Sequence, residues 1–338
     1  MSENKNEEKI DLLAIGDTAT DVFIKLEDES GAVVSGTPDT TDYRISLPFA
    51  TKIPYKSDTT VAGVGNAPNA AVAASTLGLR TALVARVGND RAGEETIESL
   101  NQHKVDTNFI VKEAGKKTNY SYILWYKEER TILRQHENFS YALPDVGSPS
   151  WIYFSAVGAG ADKFYEEFAN YIEKNTEVNF AFQPGGNEVG LGKKLLRFYK
   201  RANIFLCNVE EAEQILGLED LDVKDLLKKM KELGPKIVVI TDGPKGAYAY
   251  DGTDIWFIKP YPDPKPPYER TGAGDAFSST IVTALALGKT LPEALQWGGI
   301  NSMSVVQEIG AQKGLLTREQ IEEYLKNAPA DYKAEKIN

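Results

Sequence analysis

Gly272-Ala273-Gly274-Asp275 places a carboxylate beside a glycine-punctuated turn that runs into an apolar, helix-forming stretch. The first turn of a helix has unpaired N–H groups and the positive end of the macrodipole, so it attracts anions. Gly272 and Gly274 lack the side chains that would hold a phosphate away from the backbone. A base next to an anion cradle is what transfer of a phosphoryl group to a hydroxyl requires. Asp275 would accept the proton of the attacking hydroxyl, and the N–H groups of Ala273, Gly274 and Asp275 would stabilise the moving charge. The dipole favours the charged carboxylate, so Asp275 is expected to be a weak base that orients the hydroxyl and takes its proton late. An acidic first turn is also a common way to stabilise a helix, so the assignment needs companion motifs.

Several segments supply them. Gly63-Val64-Gly65 opens an alanine-rich helical stretch, but Pro68 stands where a third glycine would complete a dinucleotide fingerprint, and no βαβ unit begins there. Asn69 reads locally as a first-turn helix residue. Asn208 and Glu211 follow a buried strand, where open α/β sheets place their sites, and their hard oxygens suit Mg²⁺ held through water. They would serve equally well as the cap of a helix, which is all Glu210 is expected to be. Thr241, Gly243 and Gly246 form a loop after another strand, with a plain β-turn as the alternative. Asp17 reads as a turn residue. Gly288-Lys289-Thr290 lacks the upstream glycine of a phosphate-binding loop.

The elements that must position these residues are legible in outline. Strands are expected at 10–15, 81–87, 151–154, 179–182, 204–206 and 236–240. Helices are expected at 66–77, 93–103, 163–174, 192–201, 209–216, 223–233, 273–287, 291–306 and 318–327. This alternation implies a mostly parallel sheet with helices on both faces. Segments 22–61 and 120–134 alternate apolar and polar residues and read as a separate small β-sheet, a lid that would keep water from the site. Residues 1–9 and 331–338 read as tails around one domain at 10–330.

The 338 residues are 42% hydrophobic and 26% charged, with net charge −11. The balance argues against nucleic-acid or anionic-membrane partners, and any phosphate site must gather positive potential locally. One cysteine, Cys207, excludes an internal disulfide framework and thiolate-rich metal sites; it reads as a core residue. His103 and His136 read as surface or structural residues. With no leader and no apolar run of membrane length, a cytoplasmic protein is expected.

Gly-Ala-Gly-Asp before a helix resembles the second signature of the PfkB, or ribokinase-like, carbohydrate and nucleoside kinases. Gly63–Asn69 with Val87-Gly88-Asn89-Asp90-Arg91-Ala92-Gly93 is similar to the first signature, Asn208-Val209-Glu210-Glu211 to the Asn-x-x-Glu element, and Thr241–Gly246 to the nucleotide loop. The resemblance covers roughly 10–316. It implies a three-layer ribokinase-like α/β sandwich with a β-lid, ATP as co-substrate, Mg²⁺, and a possible homodimer through the lid. It also implies that Asp21, Gly65 and Asn69 hold the acceptor, and that Asn208, Thr241, Gly243, Gly246, Asn301 and Arg270 serve the nucleotide. Glu269-Arg270 replaces the usual Asp-Thr, which weakens any inference of a K⁺ site; Arg270 would supply a fixed positive charge instead. The acceptor is expected to be a sugar, with a nucleoside as the alternative if the lid aromatics Tyr43, Phe49, Tyr120, Tyr122 and Trp125 form a base slot. A non-catalytic ligand-binding protein on the same fold is the competing class.

Overall fold

The structure, a computed structural model, describes residues 9–37, 42–127 and 129–337. Of the expected N-terminal tail only Lys9 falls among them, and residues 38–41 and Glu128 of the lid segments lie outside. Short apolar runs become strands buried on both faces, which is why they are continuous rather than alternating. Leu12–Ile15 pairs in parallel with Trp151–Phe154 on one side and Thr81–Gly88 on the other. The parallel ladder continues through Asn179–Phe182, Ile204–Asn208 and Ile237–Thr241.

Successive residues of one strand enter different cores. Ile204 and Leu206 join the core that holds residues of the helices Asn66–Thr76, Ala273–Ala286 and Leu291–Val305. Phe205 and Cys207 join Phe154, Phe168, Phe182 and Phe198 in the core of the opposite layer, with the helices Asp162–Lys174, Val209–Leu216 and Val223–Glu232. The result is the expected three-layer sandwich, with Cys207 as core filling. The helices Asn66–Thr76 and Ala273–Ala286 pack together in one layer. Both are buried along most of their length and rich in alanine. Small side chains allow their backbones to approach closely.

Three features differ from the sequence reading. Beyond Ile237–Thr241 the sheet turns antiparallel, through Ala247–Tyr250 and Ile255–Ile258. The segment read as a C-terminal tail supplies Glu335–Ile337, which pairs with Ile255–Ile258 and closes that edge. The helix expected at 192–201 is a 3₁₀ turn, Gly192–Leu195, followed by the α-helix Leu196–Arg201.

The small sheet has the strand order Glu129–Gln135, Asn119–Tyr126, Ala19–Leu26, Tyr55–Val64. Ala19–Leu26 runs parallel to Asn119–Tyr126, and the other pairs are antiparallel. Its connections to the sandwich meet at one seam. Asn119 Nδ2 donates to the Thr18 carbonyl at 3.1 Å, and Glu137 N–H donates to Asn119 Oδ1 at 2.8 Å. Beside them the buried Asp17 carboxylate accepts the Tyr141 hydroxyl at 2.7 and 2.9 Å and faces His136 Nε2 at 3.1 Å. Asp17 is therefore a tie-point between sheet and lid, more than the turn residue the sequence suggested.

The hydrogen bond to Asp17 holds His136 above the usual 6.5, against the opposing effect of burial. A raised histidine contributes stability that is fully present below its unfolded value and lost as pH rises through the folded one. His136→Ala is expected to lower Tm by about 2 °C at pH 6 and by less at pH 9. Equal losses at both pH values in thermal melts would remove the charge from the account.

Candidate active site

Gly272 adopts φ 82, and a Cβ there would lie 2.2 Å from the Ala311 Cβ. Only glycine fits both constraints. Its left-handed turn starts the helix Ala273–Ala286 and aims the first-turn N–H groups outward. Those of Gly274 and Asp275 donate to nothing among the described residues, whereas Ala273 N–H is drawn back to the Arg270 carbonyl at 3.4 Å. The anion hole thus has two free donors rather than the expected three. Around Gly274 an added Cβ would meet no atom within 4 Å. That open face leaves room for a ligand.

The Asp275 carboxylate is held by three neutral amides. Asn69 Nδ2 donates to Oδ2 at 2.8 Å, Asn66 Nδ2 to Oδ1 at 3.0 Å, and Gln183 Nε2 to Oδ1 at 3.3 Å. Burial raises its pKa above the ordinary 3.8, and the amides pull it down without cancelling that effect. Desolvation thus acts in the opposite sense to the helix end, from which a weak base was expected. The amides are themselves oriented. Gln312 Nε2 donates to Asn69 Oδ1 at 3.0 Å and to the Gly63 carbonyl at 2.8 Å, so the Asn69 NH₂ must face Asp275. The Tyr153 hydroxyl donates to Gln183 Oε1, which turns the Gln183 NH₂ the same way.

Asn66, Gln183, Gln312 and Tyr153 were not read as site residues from the sequence. Asn66 had a signal, because it lies three positions before Asn69 on one helix face. Gln312 had none, since 243 residues separate it from Asn69.

On the acceptor side, Asp21 lies on the lid strand Ala19–Leu26, in register with Ser121 of the neighbouring strand. Desolvation raises its pKa, while a Ser121 hydrogen bond and the Arg134 charge oppose the rise. Gly65 has φ 126, and a Cβ would sit 2.9 Å from the Asp17 carbonyl oxygen, so backbone crowding already demands a glycine. Phe49, Tyr122, Tyr43 and Trp125 do not converge on one slot. Phe49 is 96% exposed and Tyr122 47% exposed. Tyr43 lies in a separate groove of the lid, and Trp125 packs on Tyr268.

On the other side of the turn is a cleft of about 390 Å³, lined by Thr241, Gly243, Gly246, Arg270, Ala273 and Gly274, with Tyr261, Phe277 and Met303 as apolar wall. Asn301 does not reach it. That side chain is fully buried, donates to Thr280 Oγ1 at 2.8 Å and accepts Leu316 N–H at 2.9 Å, so it ties helix to loop. Asn208 and Glu211 form a reciprocal cap: Glu211 N–H donates to Asn208 Oδ1 at 2.7 Å, and Asn208 N–H to Glu211 Oε2 at 2.9 Å. Glu211 Oε1 accepts no hydrogen bond among the described residues. Burial raises the Glu211 pKa, and the Asp275 charge adds to the rise. The two carboxylates therefore feel each other, and a cation between them would be favoured. Among the described residues no cluster of three or more His, Cys, Asp or Glu could hold a metal by itself.

The two glycines of the turn should respond differently. Gly272→Ala forces a clash and a strained backbone, so Tm falls. Gly274→Ala enters open space and keeps Tm, yet fills the ligand face and lowers turnover of ATP by roughly 10²-fold. Melting curves and ADP release separate the two; wild-type turnover in Gly274→Ala would show that nothing binds against this turn.

The sequence pattern of the pfkB family carbohydrate kinases matches residues 39–318. A ribokinase of Haemophilus influenzae is 28% identical over 304 residues, 85% of this chain and 96% of its own length. A nucleoside kinase of Methanothermobacter thermautotrophicus is 26% identical over 320 residues, 93% of this chain and 94% of its own. Among solved structures, Arabidopsis thaliana ribokinase complexed with ribose and ATP superposes with a TM-score of 0.76 at 19% identity, covering 94% of this chain and 99% of that one. With the glycine turn, the half-buried aspartate and the adjoining cleft in place, the match assigns the fold and the chemistry together: the chain belongs to the pfkB family of carbohydrate kinases.

Proposed function

We propose that the chain transfers the terminal phosphoryl group of ATP to a hydroxymethyl group of a sugar. The observation that carries this reading is the position of Asp275, whose carboxylate faces Asn66 and Asn69 while its helix turn lines the cleft. The acceptor hydroxyl would enter among the amides and hydrogen-bond to the carboxylate, with Asp21 and Asn69 taking its neighbouring hydroxyls. Its oxygen forms the new bond to phosphorus as the bond to the bridging oxygen of ADP breaks, and its proton passes to Asp275. The N–H groups of Gly274 and Asp275 face the transferred group. Arg270, exposed at the cleft and near enough to Asp263 for its charge to oppose the rise that burial gives that carboxyl, would meet the phosphate chain. This is the local positive charge that a chain of net charge −11 needs.

Mg²⁺ fits the donor set: Asn208 and the free Oε1 of Glu211 would hold it through water. When bound it would neutralise charge on the phosphates. A sugar is preferred over a nucleoside because Phe49 and Tyr122 are exposed, Tyr43 lies in a separate groove and Trp125 is packed on Tyr268. The relatives include both kinds of kinase, so acceptor choice rests on the pocket alone.

Mg-ATP mixed with D-ribose, D-fructose, adenosine and cytidine is expected to release ADP with a sugar and not with the nucleosides. Asp275→Asn should lower turnover by roughly 10²–10⁴-fold. Because only the carboxylate form accepts the proton, kcat/KM should fall as pH drops through a value above the ordinary 3.8 of aspartate. Wild-type turnover in Asp275→Asn would sink the mechanism, and ADP release with a nucleoside alone would reverse the choice of acceptor.

A further inference from the structure

The two residues that lead into the anion-binding turn are gripped by the lid. Lys25 is in register with Trp125, and Trp125 with Arg130, on three adjacent lid strands. Register partners share a face of a sheet, so the three form a row. Trp125 meets the Tyr268 ring edge-on, with centroids 4.9 Å apart and planes at 90°. Lys25 Nζ stands 4.0 Å from the Trp125 ring centroid and 5.0 Å from that of Tyr268. Arg130 Nη1 lies 3.6 Å from Glu269 Oε1, and the Glu269 side chain is only 3% exposed. The same Oε1 accepts the Thr271 N–H at 2.9 Å and its hydroxyl at 2.6 Å.

A carboxylate this deeply buried is costly unless a cation stands beside it. Arg130 is that cation, and it belongs to the lid. Glu269 passes the contact on to Thr271, whose neighbour Gly272 sets the direction of the free N–H groups. Glu269 Oε2 and Arg130 Nε are both buried without a partner, so the pair is engaged at one corner and short of a two-bond fork. Asp21 lies on the same strand as Lys25, four residues earlier, and therefore on the same face of the lid. One rigid sheet thus carries both the acceptor-binding carboxylate and the clamp on the turn.

We propose that Arg130 is a positioning residue of the transfer reaction: with the lid docked, its guanidinium holds Glu269, and Glu269 holds the Thr271–Gly274 turn in its anion-binding form. The proposal rests on the phosphotransfer reading above. When the lid lifts, Arg130 leaves, Glu269 loses its counter-charge, and the turn is released. The anion hole is then complete only when Asp21 has been brought down onto the acceptor, which limits wasteful hydrolysis of ATP.

The test compares Arg130→Met with the wild type, using ADP release with the D-ribose, D-fructose, adenosine and cytidine panel and amide hydrogen exchange over 269–275. The variant is expected to lose roughly 10²-fold in kcat, with KM for ATP changed far less, and to exchange faster across the turn. Arg130→Lys should recover part of the kcat. If Arg130→Met does not fold, Arg130→Met/Glu269→Gln leaves no unpaired buried charge and should still show the loss in kcat and the faster exchange. Wild-type kcat in either folded variant, or unchanged exchange at 269–275, overturns the proposal. Asp275→Asn run in parallel keeps the two readings apart. If it retains turnover, the mechanism falls; if it is inactive while Arg130→Met is fully active, only the role of Arg130 falls.

Discussion

Asp275 is a half-buried carboxylate at the end of a helix whose side-chain partners are three amide NH₂ groups, with no cation bonded to it among the described residues. Neutral donors stabilise charge less than a guanidinium would, so desolvation keeps the upper hand and the pKa stays above the ordinary value. An arginine or lysine in this shell would pull the pKa down instead. The rest of the structure maintains that balance. The alanine-rich helices Asn66–Thr76 and Ala273–Ala286 come close enough for Asn66 and Asn69 to reach across, while Gln312 and Tyr153 prevent the amides from turning over. Positive charge is kept one step away, on Arg270 in the cleft and Arg130 in the lid.

The same residue types are used structurally elsewhere in the molecule, and comparison shows what distinguishes the site. Glu188 is fully buried and accepts from Tyr165 Oη at 2.6 Å, Val157 N–H at 3.0 Å and Gly185 N–H at 3.1 Å. Burial raises its pKa too. It faces no cleft and opens no helix toward one, so its hydrogen bonds join the loop after Trp151–Phe154 to the helix Gly186–Leu191 and do nothing further. A perturbed pKa marks a functional carboxylate only where free donors and space adjoin it.

Local signals in the chain predicted what is local in the fold. Four-residue apolar strands such as Trp151–Phe154 and the capped helix Val209–Leu216 were found at their expected bounds, because burial and capping are written in adjacent residues. The hairpin Ala247–Tyr250 and Ile255–Ile258 was overlooked although Asp251-Gly252 between two apolar runs is a turn signal, and its small alanines hid the alternation. Glu335–Ile337 could not have been read as a strand: two of its three residues are charged and exposed, and only the waiting edge of the sheet makes it one. In the site, Asp275, Asn69 and the cleft glycines stood in recognisable spacing. Their supporting partners did not, since Gln312, Arg130 and Gln183 are brought in by tertiary contacts over long sequence separations.

Asp21, Glu211 and Asp275 all have raised pKa values in the folded chain. A carboxylate shifted in this sense favours folding most when protonated, below its unfolded value, and that contribution is lost as pH rises through the folded one. At neutral pH the three groups therefore work against the fold, and at Glu211 the charge of Asp275 adds to the cost. Selection for stability alone would replace them with amides. Their presence follows if the charges are there to be neutralised by ligands, a proton from a hydroxyl at Asp275, hydrogen bonds from an acceptor at Asp21, and hydrated cation charge at Glu211. Each such ligand then stabilises the closed arrangement in proportion to the repulsion it removes. On that reading, binding and lid docking would be coupled through electrostatics.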